Sequence, residues 1–147
     1  MRTLITGVDA DGKSCVVSQD ELTLDQLAPG FAMGIPYMTA TSPPPQRPTG
    51  TAPLIDQGID PGLVRWMVVE LGPHSETPMH HTDTLDLQTV LSGSVDLMLG
   101  DGAHQLTQGD LVVLTGVDHA WRGGPDGCRL SAVLVGTPPP DAETASR

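Results

Sequence analysis

Two histidine-bearing blocks limit what this chain can fold into. The first opens at Pro73-His74, is centred on Pro78-Met79-His80-His81-Thr82-Asp83-Thr84-Leu85-Asp86, and passes through alternating apolar residues to Leu91-Ser92-Gly93. Fifteen residues further on comes Gly109-Asp110-Leu111-Val112-Val113-Leu114-Thr115-Gly116-Val117-Asp118-His119. Imidazole and carboxylate groups converging from different strands are what a divalent transition metal binds, and two histidines with one acid leave positions open for a substrate. The blocks therefore have to be brought together by strands.

The rest of the chain supplies such strands. Asp11-Gly12 between Leu4-Ile5 and Cys15-Val16-Val17 predicts a first hairpin. Asp20 to Leu27 has no clear period and reads as a helical turn or a loop, and Phe31 to Thr41 as a strand broken at Pro36. Ser42 to Gly50 carries Pro43, Pro44, Pro45 and Pro48 and is a stiff connection; Thr51 to Gly62 is a loop and a candidate lid. From Leu63 the pattern is regular. Strands are expected at Val64–Leu71, Leu85–Leu91, Val95–Leu99, Ala103–Leu106, Asp110–Leu114, His119–Trp121 and Arg129–Val135, with turns at Asp101-Gly102 and Gly123–Gly127. Short strands with Gly-rich turns make an all-β sandwich or barrel. The expected organisation is residues 1–62 as N-terminal strands and loops packing on the barrel or on a partner subunit, 63–136 as the barrel, and a disordered tail over 137–147.

Composition excludes several roles. The net charge is −11, with a single lysine, Lys13, which argues against nucleic acid and against anionic membranes. Cys15 and Cys128 make no metal or redox pair and are expected as free thiols, although one disulfide between them is compatible with the sequence. No apolar run reaches the roughly 18 residues of a membrane span, and Met1–Thr6 has no signal-peptide core, so a cytoplasmic location is expected. P-loop, nucleophile-elbow and Rossmann patterns are not found.

The two blocks resemble the signature of the cupin superfamily, whose first motif reads G-x5-H-x-H-x3,4-E-x6-G and whose second reads G-x5-P-x-G-x2-H-x3-N. The resemblance covers about a third of the chain directly. Met79-His80 with Thr82-Asp83-Thr84 and Asp86, and His119-Ala120-Trp121-Arg122, are also similar to small single-domain bacterial cupins, as is the opening Arg2–Ser14. It implies an all-β, jelly-roll cupin barrel with an N-terminal strand extension. It also implies one divalent transition metal, Fe, Ni, Mn, Zn or Co, and a homodimer, often formed by exchange of N-terminal strands.

Carried over residue by residue, the resemblance places metal ligands at His80, Asp86 and His119. Five residues separate His74, standing for the family Gly, from His80; six separate Asp86 from Gly93; two separate Gly116 from His119. The chain departs from the pattern where Thr82 replaces the second histidine, Asp86 replaces Glu, Leu114 replaces the Pro and Gly123 the Asn. A strand period of two puts residues 80, 82, 84, 86 and 88 on one face and His81 on the other unless a bulge turns it inward, so His81 is a possible fourth ligand or a rim residue. Gln88, Thr82 and Trp121 are candidate pocket residues, Trp121 otherwise simply core. His74 and His104 are expected to be solvated. The alternative for His80, Asp86 and His119 is a set of polar residues lining a hydrated pocket.

Two functional classes follow. One is a metal-dependent enzyme on a small organic molecule, of oxygenase, decarboxylase, isomerase or cyclase type. The other is a non-catalytic cupin that binds or senses a metabolite.

Overall fold

The structure is a computed structural model that describes residues 1–140. Nine strands are present among these residues: β1 (Arg2–Val8), β2 (Ser14–Glu21), β3 (Asp25–Ala28), β4 (Phe31–Met33), β5 (Val64–Leu71), β6 (Thr84–Leu99), β7 (Gly102–Thr107), β8 (Leu111–Leu114) and β9 (Ala120–Gly136). Seven form one sheet in the order β2-β1-β8-β6-β9-β5, with β7 on the far half of β6; β3 and β4 form a separate hairpin. The all-β expectation holds, and no helix of the described residues is long and apolar enough to cross a membrane.

β6 and β9 are the long strands on which everything else hangs. The sequence pattern divides each in two, at Leu91–Gly93 and at Gly123–Gly127, yet each runs through as one bent strand. The β6–β9 ladder slips at Val90/Ser92 and again at Gly93/Val95 and then resumes. Gly93 has φ 73°, and a Cβ there would lie 2.1 Å from the Gly127 carbonyl oxygen. Only glycine lets the two backbones approach so closely at the bend. The local turn signals are real, but matched bends in both strands keep the pairing, so one sheet folds over on itself.

The core lies inside that fold. Leu4, Val90, Leu97, Leu106, Val112 and Leu130 are essentially fully buried there. Each such side chain contributes roughly 1.5–3 kcal/mol by leaving water. The N-terminal segment shares this core: β1 pairs antiparallel with β2 and parallel with β8, and Leu4 sits at the centre. The first hairpin falls where Asp11-Gly12 predicts it.

Other expectations need adjustment. Asp25–Ala28 is a strand, neither helical turn nor loop, and the strand expected over Phe31 to Thr41 is confined to Phe31–Met33. Gly34 and Pro36 end it, since proline has no N–H to donate to a ladder. Ordered chain also continues past Gly136. Thr137 is buried, and its N–H donates to the Asp83 carbonyl at 3.0 Å. Residues 141–147 of the expected tail lie outside the described residues. Cys15 and Cys128 are both free thiols.

Candidate functional site

The two blocks meet at His80 and His119. Their backbones exchange a pair of hydrogen bonds, His80 N–H to the His119 carbonyl at 2.9 Å and His119 N–H to the His80 carbonyl at 2.8 Å. The imidazole rings lie with centroids 4.4 Å apart and planes inclined at 54°. Each ring is anchored in the same way. Nδ1 of His80 lies 2.8 Å from the Pro78 carbonyl oxygen, and Nδ1 of His119 lies 2.8 Å from that of Val117. A carbonyl only accepts, so both Nδ1 atoms carry a proton, which leaves Nε2 of each ring as the nitrogen that could bind a metal ion. Such anchoring fixes tautomer and orientation in metal-binding and acid–base histidines alike. His119 is 2% exposed. Burial lowers its pKa to about 4, against the Val117 hydrogen bond, with the His80 ring lowering it further. It is neutral at pH 7.

Asp86 stands on β6 between Leu114 of β8 and Leu134 of β9. It is 5% exposed, and burial raises its pKa to about 6 although hydrogen bonds from Thr84 and Gln88 pull the other way. Thr84 Oγ1 donates to Asp86 Oδ1 at 2.5 Å, and Thr82 Oγ1 lies 2.8 Å from Thr84 Oγ1. Thr84 has one hydroxyl proton, spent on Asp86, so Thr82 is the donor to Thr84. This chain, with Gln88 buried next in line, is the alternation expected of residues 82, 84, 86 and 88. The structure thus brings His80 and His119 together but not Asp86: among the described residues no three His, Cys, Asp or Glu side chains cluster closely enough to hold a metal ion.

Comparison with known proteins adds likenesses over part of the chain. No family model matches. The phomopsin biosynthesis cluster proteins C' and D of Diaporthe leptostromiformis are each 38% identical over 63 residues, 42% of this chain and 33% of theirs. The match therefore spans about a third of the length of these curated relatives. Among solved structures, the polyketide cyclase RemF of Streptomyces resistomycificus aligns with 48% of this chain and 53% of its own, at 27% identity and a TM-score of 0.46. A cupin-2 domain protein of Shewanella frigidimarina aligns with 48% of this chain and 68% of its own, at 21% identity and a TM-score of 0.43. In the chain itself, the two blocks that resemble the cupin pattern meet in one folded all-β sheet and join at the His80–His119 pair.

The remaining candidates take distinct places in the fold. His81 does alternate away from the Thr82–Asp86 row, yet it is buried, not at the rim. Its Nδ1 lies 3.2 Å from Oδ1 of Asp118. Its backbone is clamped by the loop ahead of β5, with His81 N–H on the Pro53 carbonyl and Ile55 N–H on the His81 carbonyl. Asp118 also accepts from the N–H groups of Thr51 and Ala52 at 2.8 and 3.2 Å. Burial raises the Asp118 pKa, but those N–H donors and His81 outweigh it and hold the carboxyl below its ordinary range. Trp121 belongs to the core cluster, and its ring meets His119 edge-on at 6.1 Å, so it is both core and wall. His104 Nε2 is 2.6 Å from Asp101, and His74 is exposed at φ 56°.

Sequence reasoning missed Asp118 and the Arg47–Asp83 ion pair, whose Nε–Oδ1 distance is 2.6 Å with the Arg47 side chain 8% exposed. Together they strap residues 47–55 down beside the histidine pair. The position of Asp118 immediately before His119 was the one available signal.

Proposed function

We propose that this chain is a cupin and an enzyme acting on a small organic molecule at the His80–His119 pair, with one divalent transition metal held there. The observation that carries the reading is the shared anchoring of two neighbouring rings, each with Nδ1 turned to a backbone carbonyl so that Nε2 is left as the donor atom. That donor chemistry fits borderline ions such as Fe, Ni, Mn, Zn or Co. His80 and His119 would hold the ion through Nε2, and Asp86 stands outside that pair, so it would have to approach for its carboxylate to join. When bound, such an ion supplies Lewis-acid polarisation of a carbonyl or enolate oxygen, or, as Fe(II), a centre for oxygen chemistry.

The residues of the chain do the rest. The Pro78 and Val117 carbonyls keep both imidazoles in one tautomer. Trp121 closes one side with an apolar edge that excludes water. The Thr82–Thr84–Asp86 chain of hydrogen bonds holds the buried Asp86 carboxyl in place. The likeness to two proteins of a phomopsin biosynthesis cluster supports a place in small-molecule biosynthesis. The test is elemental analysis of protein purified without chelator or affinity metal, paired with turnover of cyclisable polyketide-type and keto-acid compounds. The expected result is close to one transition-metal ion per chain, lost in His80→Ala together with turnover. A metal-free protein that binds such a compound without converting it would establish the metabolite-binding alternative.

A further inference from the structure

The proline-rich segment lies over the outer face of the main sheet. Leu85 precedes Asp86 on β6, so its side chain leaves the sheet on the face opposite the Thr82–Asp86 row. Leu85 is buried although it is not part of the core cluster, because the chain covers it from outside. Pro44, Pro45 and Pro48 supply that cover. Between them and Leu85 lies a cavity of about 290 Å³, bordered also by Tyr37 and Thr137. Tyr37 borders a neighbouring cavity of about 200 Å³ as well, which includes Leu87 and Val133 in its wall. His80, Asp86 and His119 border neither cavity.

Two contacts hold the cover down. Arg47 Nε donates to Asp83 Oδ1 at 2.6 Å, and Gln46 Nε2 donates to the Pro139 carbonyl at 2.7 Å. Thr137 N–H donates to the carbonyl of the same Asp83, so the strap and the chain after β9 are fastened at one point. Arg47 is turned to Asp83, and among the described residues no charged side chain borders the larger cavity. Its polar lining is mostly satisfied. Thr6 Oγ1 donates to the Val113 carbonyl at 2.9 Å, and Thr115 Oγ1 to the Thr6 carbonyl at 3.1 Å. One polar atom is left over. Thr137 is 4% exposed, and its Oγ1 is buried without a hydrogen-bond partner among the described residues. A buried hydroxyl in that state costs free energy, and such groups are rare in native proteins.

We propose that the cavity under the proline strap is a binding site for a small uncharged aromatic molecule that carries a hydroxyl or carbonyl oxygen, separate from the His80–His119 pair. Volume sets the size. An apolar cavity of roughly 150 Å³ accepts one benzene ring, so about 290 Å³ takes a ligand of one or two fused rings. Shape sets the apolar part, because the flat faces of three prolines and the Tyr37 ring suit a planar molecule. The lining excludes ions, since a charge buried there would find no counter-charge. Thr137 Oγ1 supplies the polar contact by donating to the ligand oxygen, and a single placed polar group in an apolar site fixes orientation. The site is independent of any metal at the histidine pair.

Titration of the full chain with β-naphthol, followed by nitrogen–proton correlation spectra, tests this. One molecule per chain is expected to bind, moving the resonances of Leu85, Thr115 and Thr137 and leaving those of His80 and His119 in place. Naphthalene should bind at the same residues, and the anion β-naphthoate should not bind. Thr137→Val keeps the side-chain shape and removes the hydroxyl. It should weaken β-naphthol about fivefold, the scale of one hydrogen bond, and leave naphthalene unchanged. Thr137→Ser should bind β-naphthol as wild type does. Gln46→Ala changes an exposed position and frees the strap from Pro139, so it should weaken both neutral probes alike, and it replaces Thr137→Val should that variant fail to fold. His80→Ala should bind β-naphthol unchanged, which separates this site from the metal reading. Absence of any shift, shifts centred on the histidine pair, equal loss of both neutral probes in Thr137→Val, or β-naphthoate binding as tightly as β-naphthol would each overturn the proposal.

Discussion

Nδ1 of His81 lies 3.2 Å from Oδ1 of Asp118, so the residues next to His80 and His119 are themselves paired. The functional pair and its neighbours thus form two layers, imidazole against imidazole and imidazole against carboxylate. Asp118 ties the second layer to the loop through Thr51 and Ala52. Asp118→Ala removes four hydrogen bonds to one carboxylate and leaves His81 without its side-chain partner. Stability is expected to fall by about 2–3 kcal/mol, the scale of charge-assisted bonds in a partly buried setting. Limited proteolysis should find new cleavage between residues 47 and 55. An unchanged urea midpoint and an uncut loop would show that the strap does not depend on Asp118.

The division of labour among the four residues gives a second expectation. His80→Ala and His119→Ala should each abolish transition-metal binding, and His81→Ala should largely spare it, because His81 faces Asp118. Asp86→Asn should lower the affinity tenfold or more if the carboxylate joins the ion. Metal titration of the four variants by calorimetry checks all of this at once. Loss of binding in His81→Ala alone would mean that the ring leaves Asp118 and that the ligand register has shifted by one residue.

The sequence makes some of this legible and hides the rest for definable reasons. Strand alternation is local, so the row Thr82, Thr84, Asp86, Gln88 can be read directly, and the likeness of the two blocks to the cupin pattern singles out His80 and His119, which the structure pairs. The continuity of β6 and β9 cannot be read that way. Gly93 and Gly123–Gly127 are turn signals when taken alone, and only the matching bend of a strand about 35 residues away turns both into bulges. Asp118 is hidden for a similar reason. Its partners Thr51 and Ala52 lie in a loop with no periodicity, 67 and 66 residues distant. Burial of His81 follows from that same loop and not from strand parity.

Asp86 supplies a pH-dependent expectation. Its pKa rises from 3.8 to about 6 on folding, chiefly by burial. A raised acid favours the folded state while protonated, so the benefit is complete below pH 3.8 and lost as the pH rises through 6. The shift corresponds to roughly 3 kcal/mol by pH 8. Asp86→Asn keeps the shape and removes the charge. In metal-free protein it should be more stable than wild type at pH 8, with the gap narrowing toward pH 4. A gap independent of pH would show that Asp86 titrates normally.

His119 carries the opposite sign, and its contribution has to be separated from that of Asp86. Its pKa falls from 6.5 to about 4 on folding because burial disfavours the imidazolium. Between these values the unfolded chain binds the proton and the folded chain does not. The stability it preserves is therefore complete above pH 6.5 and lost as the pH falls through 4, an amount of roughly 3 kcal/mol. The two windows overlap between pH 4 and 6, where Asp86 favours folding on acidification and His119 opposes it, so wild-type stability should change little there. His119→Asn can keep a donor toward the Val117 carbonyl but does not titrate. With chelator present, it should lack the acid-side loss, and its stability should rise as the pH drops from 6.5 to 4 under the influence of Asp86 alone. Denaturant unfolding at half-unit pH steps reads this directly. A wild-type curve that falls steeply over the overlap, with His119→Asn parallel to it, would place the acid-sensitive group elsewhere.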